Sequence, residues 1–278
     1  MSPLVIGLAL FAAIMHATWN AFLRSGADRL WTVTVMSFSG TIIAIPFAFV
    51  FPLPASAAWP YIVLSSALQV GYTFFLVAAY RQGQLGQVYP IVRGTAPLLV
   101  TLGTFLLTGL TPTPLQAIGV TMVAVGIMSL ALGRGRASWT SLAFAFTTGV
   151  IVASYGTVDS IGVHVAEHAG AYAAWVFIGY GTLLPLAFLV ARRKLVVNFR
   201  ATETHKALGG GIVALFAYGL VVVAFSMGPA GPITALRETS VVFAILIGWL
   251  FLGEKLTAPR IVAGIVVAIG AICLGYGG

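Results

Sequence analysis

The sequence predicts an all-α integral membrane protein, with ten transmembrane helices arranged as two inverted five-helix repeats. Three observations carry this. First, 60% of the 278 residues are hydrophobic and 7% are charged, with a mean hydropathy of +1.05, whereas a soluble domain carries about 25% charged residues. Second, apolar runs of about 18 residues or more, the length that crosses a bilayer, recur from end to end. Third, a stretch of the first half recurs 145 residues later in the second. In lipid every backbone polar group must be satisfied internally, which leaves helices or closed barrels. Barrel strands would alternate over about ten residues. These runs are apolar on all faces and read as helices.

The first run, 3–23, follows Met1-Ser2-Pro3, which carries no positive charge, and precedes Arg24 and Arg29. That order predicts a spanning helix with its N-terminus outside, not a cleavable signal. The second and third runs, 31–51 and 59–80, begin at Trp31 and Trp59 and are divided by PLP at 52–54. Interfacial aromatics belong at such ends. The fourth, 87–108, contains Arg93, and TPTP at 111–114 leads into the fifth, 114–132. The sixth, 139–159, opens on Trp139 and is followed by 170–191 and 206–227. GPAGP at 228–232 marks a turn into the ninth, 232–252, which contains Arg237 and Glu238. The tenth, 258–276, holds Cys273, the one cysteine, so no internal disulfide forms.

The basic residues test this map. Twelve of the 14 Lys and Arg fall in the loops after odd-numbered spans or at the span ends that border them, and the other loops hold none. The remaining two are Arg93 and Arg237, inside spans. A wrong helix count would scatter the charges over both sides. The positive-inside rule therefore puts those loops in the cytoplasm and both termini outside, in the cytoplasmic membrane. It also accounts for the net charge of +8 without a nucleic-acid partner.

Shifting spans four and five by 145 residues places Ala79 on Ala224, Gly83 on Gly228, Gly86 on Gly231 and Gly103 on Gly248. It also places Pro114 on Pro259, Gly119 on Gly264, and Arg93 on Glu238. Spans one and six align more loosely, Ala17 on Ala153 and Trp19 on Tyr155. The expected units are residues 1–135 and 136–278. Five is odd, so the second unit enters the membrane upside down, as in many secondary transporters whose site lies between the halves.

On these features, and on WLFLGEKLTAPRIVAGIVVAIGAI at 249–272, the chain resembles the EamA-like ten-helix branch of the drug/metabolite transporter superfamily. Gly253-Glu254, Pro259 and Gly264 match the family's Gly-Glu, short turn and glycine-bearing last helix. Thr108-Gly109-Leu110 departs from it in the first half. HATWNAFLR at 16–24 with YPIVRGTAPL at 89–98 is also similar to a subgroup associated with phosphonate use. The resemblance implies a carrier of small metabolites, with export favoured.

The site candidates come from the residues themselves. Arg93 lies about 9 Å inside one face and Glu238 about 9 Å inside the other, at 1.5 Å per residue. Intramembrane charges face the protein interior or a wet cavity and usually have partners. Arg93, Arg237 and Glu238 are therefore expected to bind substrate, the guanidiniums taking a carboxylate or phosphonate and Glu238 an amine or proton. A structural Arg93–Glu238 pair, or Arg93 snorkelling to the surface, is the alternative. Arg237 and Glu238, about 100° apart on a helix, cannot both face one narrow cavity. His16 and Asn20 share a face; His16 could carry a coupling proton, and a plain interhelical hydrogen bond is the alternative for both. Trp19, Gln69, Tyr72, Tyr89, Tyr155 and Tyr218 complete the expected lining, with packing as the alternative for each aromatic; Tyr80 is read as an interfacial anchor. Asp159 is placed at the outer end of its helix, and His164, Glu167 and His168 in a solvated loop, since HVAEH lacks the HExxH order of a zinc site. Gly94 and Pro97 are expected to loosen the fourth span.

The expected function is a secondary transporter working by alternating access, moving an amino acid or other zwitterion or organic anion, with an aminophosphonate as a distinct case. No ATP-binding motif, cofactor or metal site is read, so a proton, an ion or the substrate gradient would drive it. A flippase for a phosphate-bearing lipid shares the fold and stays open. An intramembrane enzyme is disfavoured by the lack of GxSxG, HExxH or paired intramembrane aspartates. A channel is disfavoured by the inverted repeat.

Overall fold

The computed structural model describes residues 1–82, 85–132, 138–252 and 256–276. Gly83, Arg134, Arg136, Gly253, Glu254 and Lys255 lie outside the described residues, as do the side chains of Arg24, Tyr80 and Arg81. The described part is helical with no strand. It contains α1 (Pro3–Ser25), α2 (Arg29–Val50), α3 (Trp59–Gln82), α4 (Leu85–Thr108), α5 (Pro114–Ser129) and α6 (Trp139–Val165). It continues with α7 (Ala169–Arg192), α8 (Thr202–Phe225), α9 (Ala230–Glu238), α10 (Ser240–Leu252) and α11 (Ala258–Tyr276). Eight of the described helices are long and apolar enough to cross a membrane, and α5 is a shorter apolar helix.

Short polar residues between the runs act as caps. Asp28 accepts from the Leu30 and Trp31 amides at 3.1 and 3.2 Å, which starts α2. Thr113 and Gln116 form a reciprocal capping box ahead of Pro114. Ser138 caps α6 and His168 caps α7 through the Ala171 amide at 3.1 Å. The α6–α7 connection is thus a three-residue turn. Helix α6 runs six residues past the expected end, and this corrects the place of Asp159 from the rim to the buried interior, 1% exposed.

The expected ninth span is two helices, α9 and α10, with Thr239 between them. The Thr239 hydroxyl donates to the Leu236 carbonyl at 2.6 Å, and the Val242 amide donates to the Thr239 carbonyl at 2.8 Å. Both bonds reach back three residues, so the turn tightens and the regular ladder breaks there. Its repeat counterpart α4 is continuous through Pro90 and Pro97. The helix therefore runs on through Gly94 and Pro97, the place where loosening was expected, and Pro97 has no amide to donate to the Arg93 carbonyl.

Helix packing repeats between the two halves. α3 packs on α6 as α8 packs on α1, and α4 packs on α6 as α9 and α10 pack on α1. α2 meets α7, and α5 meets α11, each helix against its own repeat partner. The α5–α11 crossing is close because it is built on glycine: a Cβ on Gly119 would sit 2.8 Å from the Gly270 carbonyl oxygen. Small residues at such crossings bring backbones together where no hydrophobic force separates helix from lipid.

Candidate functional site

The charges that the sequence places in two different spans meet inside the bundle. Arg93 on α4 donates from Nη1 to Glu238 Oε2 at 3.0 Å. Arg237 donates from Nε and Nη2 to Glu238 Oε1 at 3.2 and 2.8 Å. One carboxylate therefore serves two guanidiniums, and the cluster keeps one unmatched positive charge. Glu238 is fully buried, at 0% exposed. The arginines stay at the cavity wall, and Glu238 takes only a minority of their N–H donors.

Two aromatic contacts hold Arg93 in place. Its guanidinium carbon lies 5.0 Å from the centroid of the Tyr89 ring, a cation–π geometry one helical turn away. Its Nη2 also meets His16 Nε2. Trp19 Nε1 donates to His16 Nδ1 at 3.2 Å, so both nitrogens of the imidazole face donors. A neutral imidazole accepts at one nitrogen only, so the two contacts compete and no acceptor remains for a third donor. Asn20 Nδ2 donates to the His16 carbonyl at 2.8 Å, a bond within α1.

The cavity has a volume of about 110 Å³ and lies between the two halves. His16, Trp19, Gln69, Tyr72, Arg93, Tyr155, Tyr218 and Arg237 of the expected set line it. Glu238, Asn20 and Tyr89 stand behind that wall. Tyr72 and Tyr155, from opposite halves, meet edge to face with centroids 6.0 Å apart. The lining reaches Leu23 and Arg29 at the α1–α2 turn, and no residue of the α6–α7 turn takes part. Its arrangement suits a small molecule with an anionic group at the arginines and an apolar body among aromatic rings.

Sequence reasoning missed Ser37, Thr73 and Tyr180, which also line the cavity. The Thr73 and Tyr180 hydroxyls are 3.2 Å apart. Thr73 extends the α3 stripe of Gln69 and Tyr72 by one position, and that spacing was the available signal. Asp159 was missed as well. Its Oδ1 accepts from Tyr172 and its Oδ2 from Tyr218, each at 3.0 Å. His164 lies in the last turn of α6, and no cluster of metal-ligating side chains occurs among the described residues.

The sequence model of the EamA-like transporter family matches residues 3–132 and again residues 139–276. No curated protein matches the sequence. One crystal structure, titled only as that of a protein, superposes with a TM-score of 0.79 at 18% identity, over 97% of this chain and 96% of the other. At that identity the likeness concerns the fold alone.

Proposed function

This chain belongs to the EamA-like transporter family, and from that membership we propose that it is a secondary transporter of small zwitterionic or anionic metabolites. Amino acids come first and aminophosphonates second. Transport runs by alternating access across the cytoplasmic membrane, with export favoured and both termini outside. No enzymatic role is proposed.

The single observation that carries the substrate class is the shared carboxylate. Arg93 and Arg237 line the cavity and, among the described residues, share Glu238 as their one salt-bridge partner. A buried charge without a counter-charge is costly, so an entering carboxylate or phosphonate completes the cluster. A bare cation would meet unmatched positive charge, which sets cationic substrates apart. Aromatic walls then take an apolar side chain.

The test is flux in proteoliposomes loaded with radiolabelled L-alanine, L-phenylalanine and 2-aminoethylphosphonate. Wild-type protein is expected to exchange at least one of them well above empty vesicles. Arg93→Ala is expected to lose about tenfold or more, the scale of removing one partner from a buried charged contact. Near-normal exchange in Arg93→Ala and Arg237→Ala would remove this site.

A further inference from the structure

Asp159 has no part in the arginine cluster, yet it is the other intramembrane carboxylate among the described residues. It sits near the end of α6, 1% exposed, and does not itself line the cavity. Groups face it from each neighbouring helix: Tyr172 from α7 and Tyr218 from α8 by hydrogen bonds, and Ser65 from α3. Tyr61, also on α3, lies beside Tyr172. Tyr155 stands one turn earlier on α6, and Arg237 on α9 reaches Asp159 through its field without a salt bridge among the described residues.

The contrast with Glu238 is chemical. Glu238 is bound by two cations, whereas Asp159 is bound by hydroxyls. A hydroxyl both donates and accepts. An ionised Asp159 accepts from both tyrosines, and a protonated one donates to either, so the same partners satisfy both states. Tyr218 belongs to the cavity wall, so one hydrogen bond separates the carboxylate from the cavity. His16, for which the sequence left proton coupling and a structural hydrogen bond both open, has donors facing both ring nitrogens.

We propose that Asp159 is a proton-binding site separate from the anion-recognising arginines, and that the proton it exchanges through Tyr218 couples substrate movement to the pH gradient. The coupling role rests on the transport reading above. The proton leaves Asp159 Oδ2 for the Tyr218 oxygen while the Tyr218 proton passes to a water molecule in the cavity, leaving a carboxylate, a neutral tyrosine and a hydronium that carries the proton on.

The chain has two aspartates, Asp28 and Asp159. Asp28 is on the surface and pairs with Arg192 at 3.6 Å. Carboxyl-carbon isotope labelling of aspartate in the Asp28→Asn protein therefore leaves Asp159 as the one labelled aspartate. In infrared difference spectra on acidification, wild-type protein and Asp28→Asn are expected to gain a label-sensitive carboxylic-acid carbonyl band. Adding Asp159→Asn, which keeps the shape and meets the two hydroxyls by accepting from one and donating to the other, is expected to abolish it. A band missing from Asp28→Asn, or one that survives the double substitution, overturns the proposal.

Transport separates coupling from carriage. With one proton per substrate, one pH unit supports about tenfold accumulation. Asp159→Asn is expected to bring gradient-driven accumulation of the three probes to none while leaving their exchange intact. Retained accumulation, or loss of exchange as well, overturns the coupling role. Failure of wild-type exchange for every probe would instead sink the transport reading, and the infrared result alone would then decide the proton site.

Discussion

Replacing Glu238 by glutamine keeps its shape and removes the charge shared by Arg93 and Arg237. Two buried guanidiniums are then left without a counter-charge, and breaking a buried pair in this way costs about 3–5 kcal/mol. Glu238→Gln is expected to unfold at a clearly lower temperature in detergent than wild type. Added phosphonate is expected to recover part of the loss, because an anion then stands in for the carboxylate. A melting temperature unchanged by the substitution would show that the cluster is not charge-balanced as described. These three residues were legible because a charge inside an apolar run stands out against lipid. Their direct contact was legible only as an alternative, since helix depth does not fix azimuth or side-chain reach. Asp159 was misplaced for a different reason. GVHVAEH at 162–168 reads as polar loop, and its burial depends on Tyr172 and Tyr218 from two other helices. Thr73 carried only its spacing from Gln69, because its hydroxyl also bonds the Gln69 carbonyl on its own helix, and Tyr180 reads as an ordinary packing aromatic until Thr73 meets it across the helices.

At the scale of the helix, the repeat makes its own control. Gly119 and Gly264 are equivalent in sequence, but a Cβ on Gly119 would press on the Gly270 carbonyl, while one on Gly264 meets open space. Gly119→Val is therefore expected to force α5 from α11 and to destabilise by about 1–3 kcal/mol, the usual cost of overpacking. Gly264→Ala is expected to be neutral or slightly stabilising, since alanine favours a helix over glycine. Thermal unfolding of the two variants side by side measures this, and equal effects would contradict the α5–α11 crossing. The asymmetry was hidden in the sequence, because the alignment reports equivalence and not which face a neighbour covers. The spans themselves were legible from run length, turns and caps. The break at Thr239 was not, because apolar character continues across it and the sequence signal is one hydroxyl returning to the Leu236 carbonyl.

At the scale of the whole molecule, orientation decides which side the cavity serves. The basic loops, among them the α1–α2 and α7–α8 connections, share one end of the bundle. The cavity lining extends to that same end, at Leu23 and Arg29. At the opposite end Tyr172 and Asp159 lie buried, and Trp59 packs on Trp175 with ring centroids 5.0 Å apart. If the positive-inside rule holds, the cavity faces the cytoplasm, and transport requires that the aromatic end part while the basic end closes. Single cysteines report the orientation, since Cys273→Ser leaves the chain without another thiol. Leu53, 70% exposed between α2 and α3, and Val196, 59% exposed between α7 and α8, lie at opposite ends. An impermeant maleimide added to intact cells is expected to label Leu53→Cys at once and Val196→Cys only after permeabilisation. The reverse pattern would invert the protein in the membrane, turning the cavity outward and exchanging the sides to which Asp159 and the arginine cluster answer. The two inverted halves build much the same scaffold in either orientation, so the loop charges, and not the packing, must choose between them.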